Sequence, residues 1–132
     1  MRPKLQGVLE TALYVDDVER AAEFYQRLFG FERMAGDARL QALSVLGKQV
    51  LLVCKRGASL ALGATAHDAS GQQHLCFAVE AAELDRWEKW LAENKVEIIE
   101  RRTWERGGRS LYFRDPDQHL LELATPGTWA IY

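Results

Sequence analysis

The sequence has few of the features that mark membrane, secreted or nucleic-acid-binding proteins. No apolar run approaches the roughly 20 residues of a membrane span. No basic cluster is interleaved with aromatic residues, and the net charge is only −2. The N-terminal segment MRPKLQGVLETALYV lacks the apolar core and small-residue cleavage site of a signal peptide. We therefore expect a cytoplasmic protein that binds neither membranes nor nucleic acids.

Cysteine is also scarce. The two cysteines, Cys54 and Cys76, both lie in apolar, strand-like runs, which excludes a disulfide framework and indicates reduced core thiols. What is present is an ordinary globular composition, with 48% hydrophobic and 27% charged residues in a chain of 132. That length suits one domain, or two small halves that share a core.

The chain contains the same order of elements twice, which is a strand, a helix and three strands. The first copy is predicted at 8–15, 17–29, 31–34, 40–46 and 49–55, and the second at 74–79, 82–93, 96–101, 110–114 and 119–124. This predicts an α+β fold. Two βαβββ modules, 7–56 and 72–127, are joined by loop 57–71 in a single domain, 1–132. We expect them to pair into a curved mixed sheet around a central cavity.

Alternation along the strands places three potential ligands on one sheet face. Glu10 and His74 occupy equivalent positions in the two copies, 64 residues apart, and Glu122 lies on the last strand. Taken singly, each is more often a half-exposed strand residue than a ligand. Together they favour a shared site, because their neighbours on that face are small and leave space: Ala12, Cys76, Ala78 and Ala124.

Three stretches of the chain resemble the vicinal oxygen chelate superfamily, which includes glyoxalase, the fosfomycin and bleomycin resistance proteins and extradiol dioxygenases. They are TALYVDDVERAAEFYQRLFGFE, HLCFAVEAAELDRWEKWLAENKVEI and GGRSLYFRDPDQHLLELATPG, and the last is the most specific. The resemblance covers roughly residues 7 to 127 and implies paired βαβββ modules.

The resemblance also implies a set of metal ligands. The fifth-strand ligand matches His74, and the eighth-strand ligand matches Glu122. The first-strand ligand, commonly histidine or glutamine, falls on Glu10, which is a departure that keeps a competent donor. In members with two modules per chain, a homodimer often builds each site from both subunits. Glu10 is therefore expected to act either within its own chain or from a second one.

Two carboxylates and an imidazole suit a divalent metal ion such as Mn²⁺, Fe²⁺, Ni²⁺ or Mg²⁺, with Zn²⁺ also compatible. Tyr112 and Ser110 share the site face of the hairpin and are predicted catalytic residues. Tyr14 shares the face of Glu10 and is predicted to bind substrate. Substrate binding is also predicted for Arg106 and Arg109, because guanidinium groups suit anions, although an ordinary solvated loop explains these two arginines equally well.

These features predict a metal-dependent enzyme that acts on a small oxygen-bearing molecule, as a lyase, isomerase, transferase or ring-cleaving dioxygenase. The alternative is a metal-free protein of the bleomycin resistance type that binds a drug or metabolite. In such proteins the ligand positions are typically lost, whereas two uncompensated carboxylates here would repel each other. His119 lies on the core side of its strand and is predicted to form a hydrogen bond that stabilises the preceding turn.

Overall fold

The computed structural model describes all 132 residues, and the chain forms two compact units, Met1–Ser70 and Gly71–Tyr132. Each unit carries a four-stranded mixed sheet and one α-helix, which confirms the predicted α+β class and the two βαβββ modules. The single-domain boundary and the pairing of the modules stay predictions. None of the helices has the length and apolar character needed to cross a membrane.

The first unit folds around a helix with well-defined ends. Asp17 accepts a hydrogen bond from Arg20 N at 3.0 Å and begins the helix, and Gly30, with φ 72°, ends it in the left-handed conformation. The sheet has the order β1-β4-β3-β2, with β1 parallel to β4 and the other pairs antiparallel. The elements are β1 (Glu10–Val15), α1 (Val18–Phe29), β2 (Glu32–Gly36), β3 (Leu40–Val45), β4 (Gln49–Lys55) and a 3₁₀-helix (Ala58–Thr65).

The second unit repeats this topology. Its sheet has the order β5-β8-β7-β6. The first and last strands of the module in sequence, β5 and β8, are again parallel, and the other pairs are antiparallel. The elements are β5 (His74–Ala78), a 3₁₀-helix (Ala81–Glu83), α2 (Leu84–Glu93), β6 (Glu100–Thr103), β7 (Arg109–Arg114) and β8 (Leu120–Ala124). Strand β6 starts four residues later than the pattern predicted and extends two residues further.

Strand pairing confirms the register between the two copies. Glu10 pairs with Val50 across β1 and β4, and His74 pairs with Leu120 across β5 and β8. Two residues further on, Ala12 pairs with Leu52, whereas Cys76 pairs with Glu122. The position that holds a carboxylate in the second sheet therefore holds leucine in the first.

The loop between β6 and β7 lies directly against the C-terminal tail. Trp104 N donates to Gly108 O at 2.7 Å and closes the hairpin, and Thr125 N donates to Arg109 O at 3.0 Å. A Cβ atom added at Gly108 would overlap the backbone of Gly127 and Thr128. Only glycine allows this approach, so Gly108 fixes where the tail runs.

We expect Gly108→Ala to lower the free energy of unfolding by about 3 kcal/mol, because the new methyl group meets backbone atoms that cannot move aside. Gly107→Ala is the matched control. Its φ of 90° strains any other residue, but nothing lies within 4 Å of the added atom, so about 1 kcal/mol is expected. Urea denaturation measures both, and equal losses would contradict the close-packing explanation.

Candidate metal and substrate site

Two predicted ligands meet on the sheet of the second unit. Because β5 and β8 are parallel and His74 is paired with Leu120, the side chain of Glu122 lies two residues along on the same face. His74 Nε2 is 3.2 Å from Glu122 Oε1. The imidazole is 49% exposed and the carboxylate only 8%, so the pair has one buried partner and one that faces solvent.

The hydrogen bonding of His74 determines what the pair can hold. Its Nδ1 is 2.9 Å from the carbonyl oxygen of Leu120. A carbonyl oxygen only accepts, so Nδ1 carries the ring hydrogen. Nε2 is then unprotonated, and its lone pair points at Glu122. Two acceptors facing each other need a proton or a cation between them. Two ligands about 2.1 Å from one divalent ion at ordinary coordination angles would themselves be about 3.0–3.4 Å apart, so the observed separation fits a metal ion.

The second oxygen of Glu122 is already partnered. Ser110 Oγ donates to Glu122 Oε2 at 2.5 Å, and Trp104 Nε1 donates to Ser110 Oγ at 2.8 Å. Ser110 is 1% exposed, so this chain of hydrogen bonds is shielded from water. A buried carboxylate is costly unless it is hydrogen-bonded, and Ser110 supplies one of the hydrogen bonds that Glu122 needs.

Two further groups close to Glu122 stay protonated. Burial raises the pKa of the Tyr112 phenol, and the charge of Glu122 raises this pKa further. Cys76 is an exposed residue, but its thiol is partly shielded, and this desolvation together with Glu122 raises the pKa of the thiol to about 12. Both groups are therefore neutral hydrogen-bond donors at physiological pH, and neither supplies an anionic nucleophile.

A guanidinium group lies beside the pair. Arg102 stacks over two aromatic rings, with its Cζ 5.2 Å from the ring centroid of Trp104 and 5.1 Å from that of Tyr112. It also forms an ion pair with Glu100 on the same strand. The stacking orients the positive charge while leaving nearly half of the side chain exposed.

These side chains surround one cavity of about 670 Å³. That volume is typical of sites for small molecules. The imidazole of His74 and the carboxylate of Glu122 stand together at one part of its wall. Its remaining walls include Cys76, Ile99, Glu100, Arg102, Trp104, Tyr112, Leu120, Thr128 and Trp129.

Other predicted site residues lie elsewhere. Arg106 and Arg109 are exposed and do not line this cavity. Glu10 and Tyr14 belong to β1 of the first unit, where Glu10 is exposed and Tyr14 is hydrogen-bonded to His67. The described residues contain no group of three or more histidine, cysteine or acidic side chains placed to hold a metal ion.

Tyr14 on β1 has its interactions within the first unit. Its side chain is buried, which raises the pKa of the phenol, and Cys54 and Asp68 raise this pKa further. The segment after β4 is held against this unit, since Arg39 Nη1 donates to Ser59 Oγ at 2.8 Å. Tyr14 is therefore engaged within its own unit.

The sequence prediction missed Arg102 and Trp104. Glu100, Arg102 and Trp104 alternate towards the cavity, which is a period-two signal visible in the sequence. The predicted strand ended at residue 101, one position before Arg102, because the strand was placed on the apolar residues Val96, Ile98 and Ile99. Arg101 points away and forms an ion pair with Glu88.

His119 has a structural role, and one of its hydrogen bonds is made to the preceding turn, as predicted. Its side chain is fully buried, and Nδ1 accepts a hydrogen bond from Gln73 N at 2.9 Å, immediately before His74. Its backbone N–H stabilises the turn by donating to Asp115 Oδ1 at 2.9 Å. The ring therefore holds the start of β5 in place.

The two histidines should respond to substitution in opposite ways. We expect His119→Leu to lower the free energy of unfolding by about 2 kcal/mol, since a fully buried imidazole is removed and the half-buried Gln73 N–H loses its acceptor. The matched control His74→Leu should cost less than about 1 kcal/mol, because that ring is half exposed. Urea denaturation followed by circular dichroism measures both, and a larger loss in His74→Leu would contradict this division of roles.

Comparison with known proteins gives the family. Residues 7–123 match the Glyoxalase/Bleomycin resistance protein/Dioxygenase superfamily. The chain belongs to this superfamily. A solved structure of lactoylglutathione lyase from Agrobacterium tumefaciens superimposes with a TM-score of 0.89 at 29% identity, over 97% of this chain and 99% of that one.

Curated relatives include two kinds of resistance protein. Metallothiol transferase FosB from Shouchella clausii is 30% identical over 96% of this chain and 84% of its own length. Fosfomycin resistance protein FosX from Listeria monocytogenes is 28% identical over 90% of this chain and 89% of its own length. Some other matches are local, and one FosB is matched over 53 residues, which is 35% of that protein.

Proposed function

We propose that this superfamily member is a divalent-metal-dependent enzyme that joins a small thiol to an anionic, oxygen-bearing molecule. The observation that carries the proposal is the pair of acceptors, His74 Nε2 and Glu122 Oε1, 3.2 Å apart in a cavity that also presents Arg102. The names of the relatives support it, since one is a metallothiol transferase and another a fosfomycin resistance protein.

The cation would be held by His74 and Glu122, with Glu10 as the proposed third ligand from the same chain or from a second copy in a homodimer. One imidazole and two carboxylates match Mn²⁺, Mg²⁺, Ni²⁺, Fe²⁺ or Zn²⁺. When bound, such an ion supplies Lewis-acid polarisation of a substrate oxygen. Ser110 contributes by keeping Glu122 oriented.

The remaining cavity residues bind and orient the substrate. Arg102 would hold an anionic group, because its guanidinium is already positioned by the two rings and loses little freedom on binding. The Tyr112 hydroxyl, kept protonated, would donate a hydrogen bond to a substrate oxygen. Arg106, Arg109 and Tyr14 stay predicted substrate contacts, although they lie outside the walls of this cavity.

In the proposed reaction the thiol sulfur forms a bond to a carbon of the substrate while the bond from that carbon to oxygen breaks. The oxygen takes the electron pair and the proton that the thiol releases, so no further reactant is needed. A lyase acting on a thioester of glutathione is the second candidate, favoured by the 0.89 TM-score to lactoylglutathione lyase. The metal-free binding protein is the third.

Metal content tests the site directly. Protein purified without an affinity metal column should bind about one Mn²⁺ per site in calorimetry, and Glu122→Ala should abolish this binding, because a ligand is lost. Glu100→Gln is the control, since Glu100 is a carboxylate in the same cavity without a histidine partner. Loss of binding in Glu10→Ala would support the third ligand. No Mn²⁺ binding by the wild type would favour the metal-free alternative.

Arg102 should determine how tightly an anion binds. In the presence of Mn²⁺, we expect Arg102→Met to weaken fosfomycin binding about tenfold or more, because a charge-assisted hydrogen bond is lost. Arg101→Met removes a neighbouring guanidinium that points away from the cavity and should leave the affinity unchanged. Equal affinities for the two variants would count against this role.

Product analysis separates the reactions. The metal-loaded protein is incubated with fosfomycin and either glutathione or cysteine, or with S-lactoylglutathione, and the products are identified by mass spectrometry. A thiol adduct of fosfomycin supports thiol transfer, and release of glutathione together with the 2-oxoaldehyde from S-lactoylglutathione, rather than with lactate, supports the lyase. Fosfomycin that binds and is recovered unchanged would indicate a binding protein.

A further inference from the structure

Glu122 is connected to a tryptophan through a single serine. Trp104 Nε1 donates to Ser110 Oγ at 2.8 Å, and Ser110 Oγ donates to Glu122 Oε2 at 2.5 Å. Ser110 and Glu122 are both buried, and Trp104 is half-buried beside them. Trp104 lines the same cavity without being a proposed metal ligand.

The direction of these hydrogen bonds is fixed by the chemistry of the three groups. An indole N–H can only donate, so Ser110 Oγ must accept from Trp104 with a lone pair. The single hydroxyl hydrogen of Ser110 is then left for Glu122, and an ionised carboxylate only accepts. Trp104 thereby occupies one lone pair of Ser110 Oγ and favours the orientation of the hydroxyl that donates to Glu122, although Tyr112 also hydrogen-bonds to Ser110.

The consequence falls on the two oxygens of the carboxylate. Oε2 accepts from Ser110, and Oε1 is the oxygen that faces His74 Nε2, while Cys76 and Tyr112 also hydrogen-bond to this carboxylate. The indole is itself restrained, because the guanidinium of Arg102 stacks on its face. Trp104 therefore connects the orientation of the Glu122 carboxylate to the position of the Arg102 guanidinium in the cavity.

We propose that Trp104 is a positioning residue, which acts through Ser110 to hold Glu122 so that only Oε1 is presented for metal binding. This inference rests on the proposed metal-dependent function. A carboxylate that offers one oxygen suits small octahedral ions such as Mn²⁺ and Mg²⁺ better than Ca²⁺, which readily takes both oxygens of a carboxylate. Trp104 therefore contributes to metal selectivity as well as to affinity.

The test is a double-mutant cycle read out as Mn²⁺ affinity by calorimetry. Trp104→Phe keeps an aromatic ring for Arg102 but removes the N–H donor, and Ser110→Ala removes the link. Each single variant should bind Mn²⁺ about tenfold more weakly, because losing an outer partner of a metal ligand typically costs 10–100-fold. The double variant should match Ser110→Ala within about twofold, since Trp104 has no route to Glu122 without the serine.

Selectivity adds a readout that a purely structural role would not change. In Trp104→Phe the ratio of Mn²⁺ to Ca²⁺ affinity should fall, because the Ser110 hydroxyl is then less restrained and can rotate away from Oε2, which the ion can reach. Trp87→Phe on α2 is the matched control and should change neither affinity nor ratio. Thermal unfolding of each variant shows whether the fold is retained.

Several outcomes would overturn the proposal. It is wrong if Trp104→Phe binds Mn²⁺ as tightly as the wild type. It is also wrong if Trp104→Phe weakens Mn²⁺ binding by the same factor in the wild-type and Ser110→Ala backgrounds. If the wild type binds no Mn²⁺, the proposed function fails and the relay fails with it. If the wild type binds Mn²⁺ but the effects of Trp104→Phe and Ser110→Ala simply add, the metal site is retained and Trp104 has no positioning role.

A measurement on the wild-type protein covers the case in which Trp104→Phe does not fold. The assigned indole N–H resonance of Trp104 is followed by NMR during titration with diamagnetic Mg²⁺. We expect this resonance to shift on binding while those of Trp87 and Trp90 do not. A Trp104 resonance that stays in place as Mg²⁺ binds would reject the connection to Glu122.

Discussion

The buried carboxylate of Glu122 is the constraint on which the second unit depends. A charge at 8% exposure is tolerated only when it is compensated. Ser110 donates to Oε2, the Cys76 thiol and the Tyr112 hydroxyl also hydrogen-bond to the carboxylate, and Oε1 faces the acceptor nitrogen of His74 across the position proposed for the cation. Three features keep that charge compatible with a buried position. They are the register of β5 and β8, Ser110 on β7, and Trp104 immediately after β6.

Much of the fold could be predicted from the sequence because its signals are local. The cap at Asp17, the glycine end of α1 and the alternation along β5 each specify structure within a few residues. The duplication then supplied the topology, since two copies of one order of elements require two similar sheets. The edge strand β6 was misplaced because its residues are exposed and charged, so no apolar pattern marked its limits.

The site was less accessible from sequence, for a physical reason. His74 and Glu122 could be grouped because strand alternation places both on one face and the family resemblance matches both to ligand positions, and Ser110 because alternation along its own strand gives it the same face. Arg102 was missed because the predicted strand ended at residue 101, so the alternation of Glu100, Arg102 and Trp104 was not recognised. Arg106 in the flanking loop and Arg109 at the start of β7 carry the same charge, and composition alone does not rank one arginine above another.

The close approach of Gly108 to Gly127 has a consequence for how such a protein can be diversified. Hairpin loops usually tolerate insertions, and new binding preferences often arise there. Here the loop that follows Trp104 is wedged against the segment that leads to Trp129, so lengthening either displaces the other. Laboratory evolution of this cavity should therefore proceed by exchanging side chains along its walls, and libraries that vary loop length at this hairpin should yield few folded members.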